Sequence, residues 1–186
     1  MMKWRQIMKK IKILLPLIVI TVLLLTVIPG RAASTKTPIS VTEYICLNTP
    51  GTTWMDGDIL HVRGQINENI VVTNEQVWGI NTASINYNVN TKTGQIAVTA
   101  KADFVPLGAD GGYIGTGFFR FFGSGNNPFI VASNLRGYGE FAGQSVHVKN
   151  VMSIGPTDPA GEGYCAGHGQ YFDTDLWDGY IQTSGD

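Results

Sequence analysis

The strictest pattern in this 186-residue chain is a two-residue alternation. Over residues 84–90, Ile85, Tyr87 and Val89 fall on one face and Ser84, Asn86, Asn88 and Asn90 on the other. After Thr91-Lys92-Thr93-Gly94 the alternation resumes across residues 95–105, with Ile96, Val98, Ala100, Ala102 and Phe104 on one face. A period of two gathers apolar side chains on one side of an extended chain, whereas a helix would scatter them around its axis. The short connection contains the glycine that a tight turn favours. Residues 84–105 therefore predict an antiparallel hairpin with one buried face.

Further strands are expected on either side. In residues 59–66, Leu60, Val62 and Ile66 take one side and His61 and Arg63 the other. Residues 112–122, 128–135 and 144–151 follow the hairpin, with outer candidates at 39–47 and 180–183. With 23 glycines, few charged residues and no persuasive helical period after residue 32, the pattern is that of many short strands joined by turns. The fold class expected is all-β: one antiparallel barrel of about eight strands, with a β-sandwich as the alternative. Gly115 and Gly117 share a strand face with Phe119 and Phe121, and such small and large residues suit a closed, tapering interior. Residues 39–186 form the expected domain, preceded by a disordered lead-in at 33–38. There is no internal repeat or low-complexity tract.

The N-terminus has a different composition. Lys3, Arg5, Lys9, Lys10 and Lys12 precede an uncharged, Leu/Ile/Val-rich run and then Gly30-Arg31-Ala32-Ala33. These are the parts of a secretory signal peptide, with cleavage expected after Ala32. The alternative is an uncleaved membrane anchor. As a helix, the strongly apolar residues 13–28 would span roughly 24 Å, short of the about 30 Å of a hydrocarbon core. Either way the rest of the chain is expected outside the cytoplasm, secreted or tethered, with this segment its only contact with the membrane.

The leader also hides the domain's charge. Six of the 13 Lys and Arg lie within residues 1–32, while all 14 Asp and Glu lie beyond, leaving seven cations and a net charge of −7. An acidic domain with scattered cations excludes nucleic acid as a partner, since that recognition rests on clustered positive charge. The two cysteines, Cys46 and Cys165, both fall in the exported part. An isolated pair in an oxidising compartment predicts a disulfide; two buried free thiols are the alternative.

The run Leu135-Arg136-Gly137-Tyr138-Gly139-Glu140-Phe141-Ala142-Gly143-Gln144-Ser145-Val146 resembles the glycine-spaced turn between late strands in small secreted barrels of the allene-oxide-cyclase and dirigent group, calycin-like in form. Gly115-Thr116-Gly117 and His61-Val62-Arg63-Gly64 are compatible with bacterial relatives of that barrel, over residues 55–152. The resemblance implies an eight-stranded antiparallel barrel with a central cavity. It carries over no catalytic residue.

Chemistry-bearing motifs are few. His61 and His147 fall on the polar faces of their strands, where a surface role is the simplest reading. A functional role requires His61 with Arg63, or His147 with Lys149, to point into a cavity. The segment from Cys165 to Gly179 contains Asp173, Asp175 and Asp178, but its spacing does not match an EF-hand and the closing Glu is absent. It reads as a solvated acidic loop. Cys165 and His168 lack a second pair of zinc ligands. No nucleophile elbow, zincin motif or phosphate loop occurs, and no metal or cofactor is implied.

Three functions stay open. The first is non-catalytic binding of a small apolar or aromatic ligand, with Tyr113, Phe119, Phe121, Phe129, His61 and Arg63 as candidate site residues. The second is a surface protein acting through contacts with other molecules, and the third a dirigent-like or cyclase-like enzyme. A cavity favours the first or third, and a carboxyl with a shifted pKa inside it favours the third.

Overall fold

The structure is a computed structural model that describes residues 33–121 and 132–185. Among these, nine strands and one short helix lie within the compact unit Ser34–Ser184. In chain order they are β1 (Thr35–Thr49), β2 (Thr52–Asp56), β3 (Ile59–Thr73), β4 (Gln76–Asn90) and β5 (Ile96–Pro106). Then come β6 (Gly111–Phe121), β7 (Ala132–Gly139), β8 (Gln144–Ser153), helix α1 (Gly161–Cys165) and β9 (Gln170–Thr183).

Eight strands close into an antiparallel barrel. Neighbours from β3 to β9 pair in sequence, and β1 seals the seam by pairing with β9 on one edge and β3 on the other. That double pairing makes this a barrel and not a sandwich, because β3 and β9, the two ends of the meander, are joined through β1. The extra strand β2 lies on the first half of β3, Thr52 opposite Arg63 and Asp56 opposite Ile59. Between β1 and β2 the chain steps sideways at Pro50-Gly51. Gly51 has φ +77°, and a Cβ there would lie 2.7 Å from the Arg63 carbonyl oxygen, so only glycine fits this crossing.

The predicted hairpin is present, with Tyr87 opposite Val98 and Val89 opposite Ile96. Its turn is held by Asn90, whose side-chain oxygen accepts from the Lys92 and Thr93 amides, both at 3.0 Å. Gly94 takes the left-handed conformation at φ +69°. The preceding β3–β4 turn is tighter. Asn74 and Glu75 both have positive φ, 49° and 62°, as a two-residue type I′ connection requires.

Several expectations are corrected. β1 begins at Thr35, inside the segment read as a lead-in, where it pairs with the end of β9. The stretch read as a solvated acidic loop is strand β9 from Gln170 onward, and its carboxylates face two environments. Ile66 does not share a face with Leu60 and Val62: at Gly64 (φ +70°) a β-bulge between Val62 and Gln65 shifts β3 by one residue against β4. An inserted residue reverses which parity faces inward, so Gln65, Asn67, Asn69 and Val71 point into the barrel. The expected leader and the expected strand start at 128–131 lie outside the described residues.

Two apolar clusters hold the domain. One is inside the barrel: Val71, Ala102, Phe104, Tyr113, Leu135 and Val146, with Trp78 and Phe141 packed on them. The other lies outside, on the opposite face of β1 and β3, where Tyr44, Ile70 and Val72 are covered by α1 and Tyr171. The Tyr164 ring stacks on Tyr44 at 4.3 Å. Cys46 and Cys165 are bonded at the centre of this patch with Cα atoms 5.4 Å apart, within the range a disulfide requires. Such a bond points to an oxidising compartment.

Candidate functional site

The barrel interior is not full. A cavity of about 290 Å³ lies inside it, just under the roughly 300–1,000 Å³ typical of ligand pockets. Its origin can be read from the register. Ala83 on β4 faces Ala102 on β5, which faces Gly115 on β6; one step along, Ile85 faces Ala100, which faces Gly117. Facing partners in an antiparallel pair share a side of the sheet, so these small residues form a thin patch in the wall. Across β6, Gly117 faces Ser133 on β7, which extends that patch.

The two ends differ. At one, Trp78 packs edge-on to Phe104 at 4.7 Å, Phe104 stacks with Tyr113 at 6.2 Å, and Tyr113 meets Phe141 at 4.8 Å. The Tyr113 hydroxyl donates to Gln144 Oε1 at 2.6 Å, which satisfies the polar tip of a ring only 1% exposed. These aromatics plug the barrel. Toward the other end the wall is Ile85, Tyr87, Ile96 and Val98, with Phe172 at the rim, 60% exposed. Phe172 occupies the bulge where β9 shifts against β1 between Ile45 and Cys46.

Between the two ends lies a polar belt. Glu43 on β1 is 6% exposed and points inward. Its Oε1 accepts from Asn69 Nδ2 at 2.8 Å and Asn81 Nδ2 at 2.7 Å, and the Trp177 indole is a third donor. Burial raises the Glu43 pKa, while these neutral donors pull it the other way. Asp175 on β9 is the direct register partner of Glu43. Its pKa is raised to about 7, first by burial and then by the neighbouring carboxylates of Glu43 and Asp173. Asp173, also in the wall, is well bonded: it accepts from the Ser153 hydroxyl at 2.7 Å and from the Gly155 and Thr174 amides at 2.8 and 2.7 Å. Three carboxylates thus line the cavity, and no Lys, Arg or His does so among the described residues.

Of the residues expected to form a site, Tyr113 belongs to the plug and not to the cavity wall. Phe119 and Phe121 stand on β6 opposite Val98 and Ile96, but their side chains, and Phe129 altogether, lie outside the described residues. His61 and Arg63 face outward under β2. The His61 ring stacks on Trp54 at 5.0 Å and the Arg63 guanidinium lies 5.4 Å from the same indole. Arg63 also donates to the Val62 and Tyr87 carbonyls at 2.8 Å and to Asn88 Oδ1 at 2.7 Å, so its role is to dock the accessory strand. His147, between the inward Val146 and Val148, bonds Asn134 at 2.6 Å on the outer face. Cys165 is bonded to Cys46 and so is not a metal thiolate.

The polar belt was not anticipated. A run such as Gln65-Ile66-Asn67-Glu68-Asn69-Ile70-Val71 reads as a polar outer face, and only the Gly64 bulge turns its amides inward. The usable signal was the glycine inside a strand pattern, which marks a bulge and so a change of parity.

Comparison of the chain with protein-family models, with curated proteins and with solved structures yields no match, so its function has to be argued from the barrel's own interior.

Proposed function

We propose that this protein is an exported binding barrel that holds one small ligand, apolar or aromatic in its body, inside the cavity. The observation that carries the reading is the 290 Å³ space bounded by Ile85, Ile96, Val98 and the Ala83/Ala100/Ala102 patch, plugged at one end by aromatics. Pockets with largely apolar walls and a few placed polar groups are the usual binding sites of small molecules of matching size. The resemblance to allene-oxide-cyclase and dirigent barrels supports the same reading, since it implies a central cavity. Export is supported by the basic–apolar–small order of residues 1–32 and by the disulfide.

Native mass spectrometry of the purified domain tests the ligand: a small molecule should co-purify, and Ala100→Leu, which fills the space, should release it. If Ala100→Leu retains the molecule, binding is elsewhere. N-terminal sequencing of the exported protein should read from Ala33, whereas a product starting at Met1 in the membrane fraction supports the anchor.

A second reading, a cyclase-like or other acid–base enzyme, has one observation behind it. Asp175 holds its proton up to about pH 7 beside Glu43 and inside the cavity, as a general acid or base must. It names no substrate. A purely structural surface protein, in contrast, has no need of such an interior.

A further inference from the structure

The polar belt restricts which ligand the cavity can take. We propose that the ligand is an organic cation: a protonated amine on an apolar or aromatic body, with an oxygen acceptor next to the amine. The inference rests on the ligand-binding reading above and adds the chemistry of the ligand's head.

Two independent observations support it. The first is uncompensated charge. Glu43, Asp173 and Asp175 all line the cavity, and none has a basic partner there. The ion pairs among the described residues, Lys92–Asp58 and His168–Glu68, belong to other parts of the surface. Glu43 is stabilised by neutral donors only, and Asp175 faces it across the β1–β9 pair with no cation between. From β8, the residues facing Asp175 are Asn150 and Ser153, neither of them charged. An anionic ligand would add a further like charge in a low-dielectric space, whereas a cation relieves the repulsion already present.

The second observation is an unused donor. Asn67 is 2% exposed and lines the cavity. Its Oδ1 accepts from Gln65 Nε2 at 3.0 Å, but its amide nitrogen has no hydrogen-bond partner among the described residues. Because Asn67 lines the cavity, that amide donor is available to a ligand oxygen. The Trp78 and Trp177 rings and Tyr87, also in the wall, provide the aromatic faces against which an ammonium group and its apolar flank pack well.

The test uses three near-isosteric probes: phenylethanolamine (amine and hydroxyl), styrene glycol (the amine replaced by hydroxyl) and mandelate (the aminomethyl group replaced by carboxylate). Toluene serves as a purely apolar control. Binding is followed at pH 8 by NMR shifts of the Ile85 and Val98 methyl groups. Phenylethanolamine should bind about tenfold more tightly than styrene glycol, the difference between a charge-assisted and a neutral hydrogen bond, and mandelate should bind most weakly. Asp175→Asn and Glu43→Gln should each shrink the amine's preference while keeping glycol binding, which also shows that the variants are folded. Styrene glycol or mandelate binding as tightly as the amine, or toluene binding alone, overturns the cation and leaves the binding barrel standing. If none of the four perturbs those methyl groups, the binding reading itself fails and the cation with it.

Discussion

On the outer side of β1, Tyr44 and Cys46 lie beneath α1 against Ile70, Val72 and Tyr171; on its inner side, Val41, Glu43 and Ile45 border a hollow. Both faces are buried, yet one is filled and the other is not. The outer patch combines aromatic rings with a disulfide and has no charged member. The inner face meets Ala83, Ala100, Ala102 and Gly117, too small to fill the barrel, together with carboxylates and amides that hold one another in place. Packing density, not burial, separates a core from a site here: the same strand supplies stability on one side and space on the other.

The largest expected effect tests whether the outer patch depends on its covalent tie. The bond spans a sequence separation of 119. Cys165→Ser should lower the unfolding free energy by about 2–5 kcal/mol in urea denaturation. The segment after Gly161 should then become open to proteolysis before the β4–β5 hairpin. A loss below about 1 kcal/mol would mean that apolar contacts alone hold α1 down.

A pair of truncations measures the contrast directly. Tyr44→Ala removes a ring stacked on Tyr164 in a dense patch and should cost about 3–4 kcal/mol. Ile85→Ala removes a side chain that already borders a void, has fewer contacts to lose, and should cost about 1–2 kcal/mol. Equal costs in thermal or urea unfolding would show that the cavity is closed in solution.

The third prediction concerns pH. Asp175 has a folded value of about 7 against an ordinary 3.8, so the folded chain holds this proton more tightly than the unfolded one. Its effect is therefore smallest below the unfolded value, and stability falls as pH rises through about 7, where the penalty is complete. Asp175→Asn should flatten that slope and stabilise the domain at pH 8 by about 2 kcal/mol, roughly half of what the whole shift represents, because a polar amide is still buried. Unfolding midpoints at pH 5 and pH 8 check both statements. A variant that is destabilised at pH 8 would place Asp175 in contact with water.

The smallest effect lies outside both regions and calibrates them. Glu75 sits at φ +62° in the β3–β4 turn, a conformation that L side chains adopt at a cost. Glu75→Gly should therefore stabilise by about 1 kcal/mol without altering either patch, measured as a shift in Tm.

Much of the architecture was legible in the sequence. The alternation at 84–105 and the turn Thr91-Lys92-Thr93-Gly94 define β4 and β5 because period two and turn chemistry are local properties. The Cys46–Cys165 bond was the expected outcome for an isolated pair of cysteines behind a leader-like N-terminus. Most of β9 was not legible, beyond the strand expected at 180–183: residues 170–179 mix aromatic, acidic and small residues because one face lines a polar interior and the other lies on the outside, so neither face reads as apolar. β2 was missed for a related reason, since an exposed strand held by Trp54, His61 and Arg63 has no buried face to mark it.

The sequence by itself determined that the chain makes strands and that they are many and short-linked, because each follows from neighbouring residues or from composition. Only the tertiary structure decided which face of each strand is the inside. Closure of β1 onto both β3 and β9 makes one side of the sheet the interior, and the bulge at Gly64 reverses the parity of β3, bringing Asn67 and Asn69 into the belt beside Glu43 and Asp175. Alternation specifies two faces but does not label them, and a single inserted residue exchanges the labels.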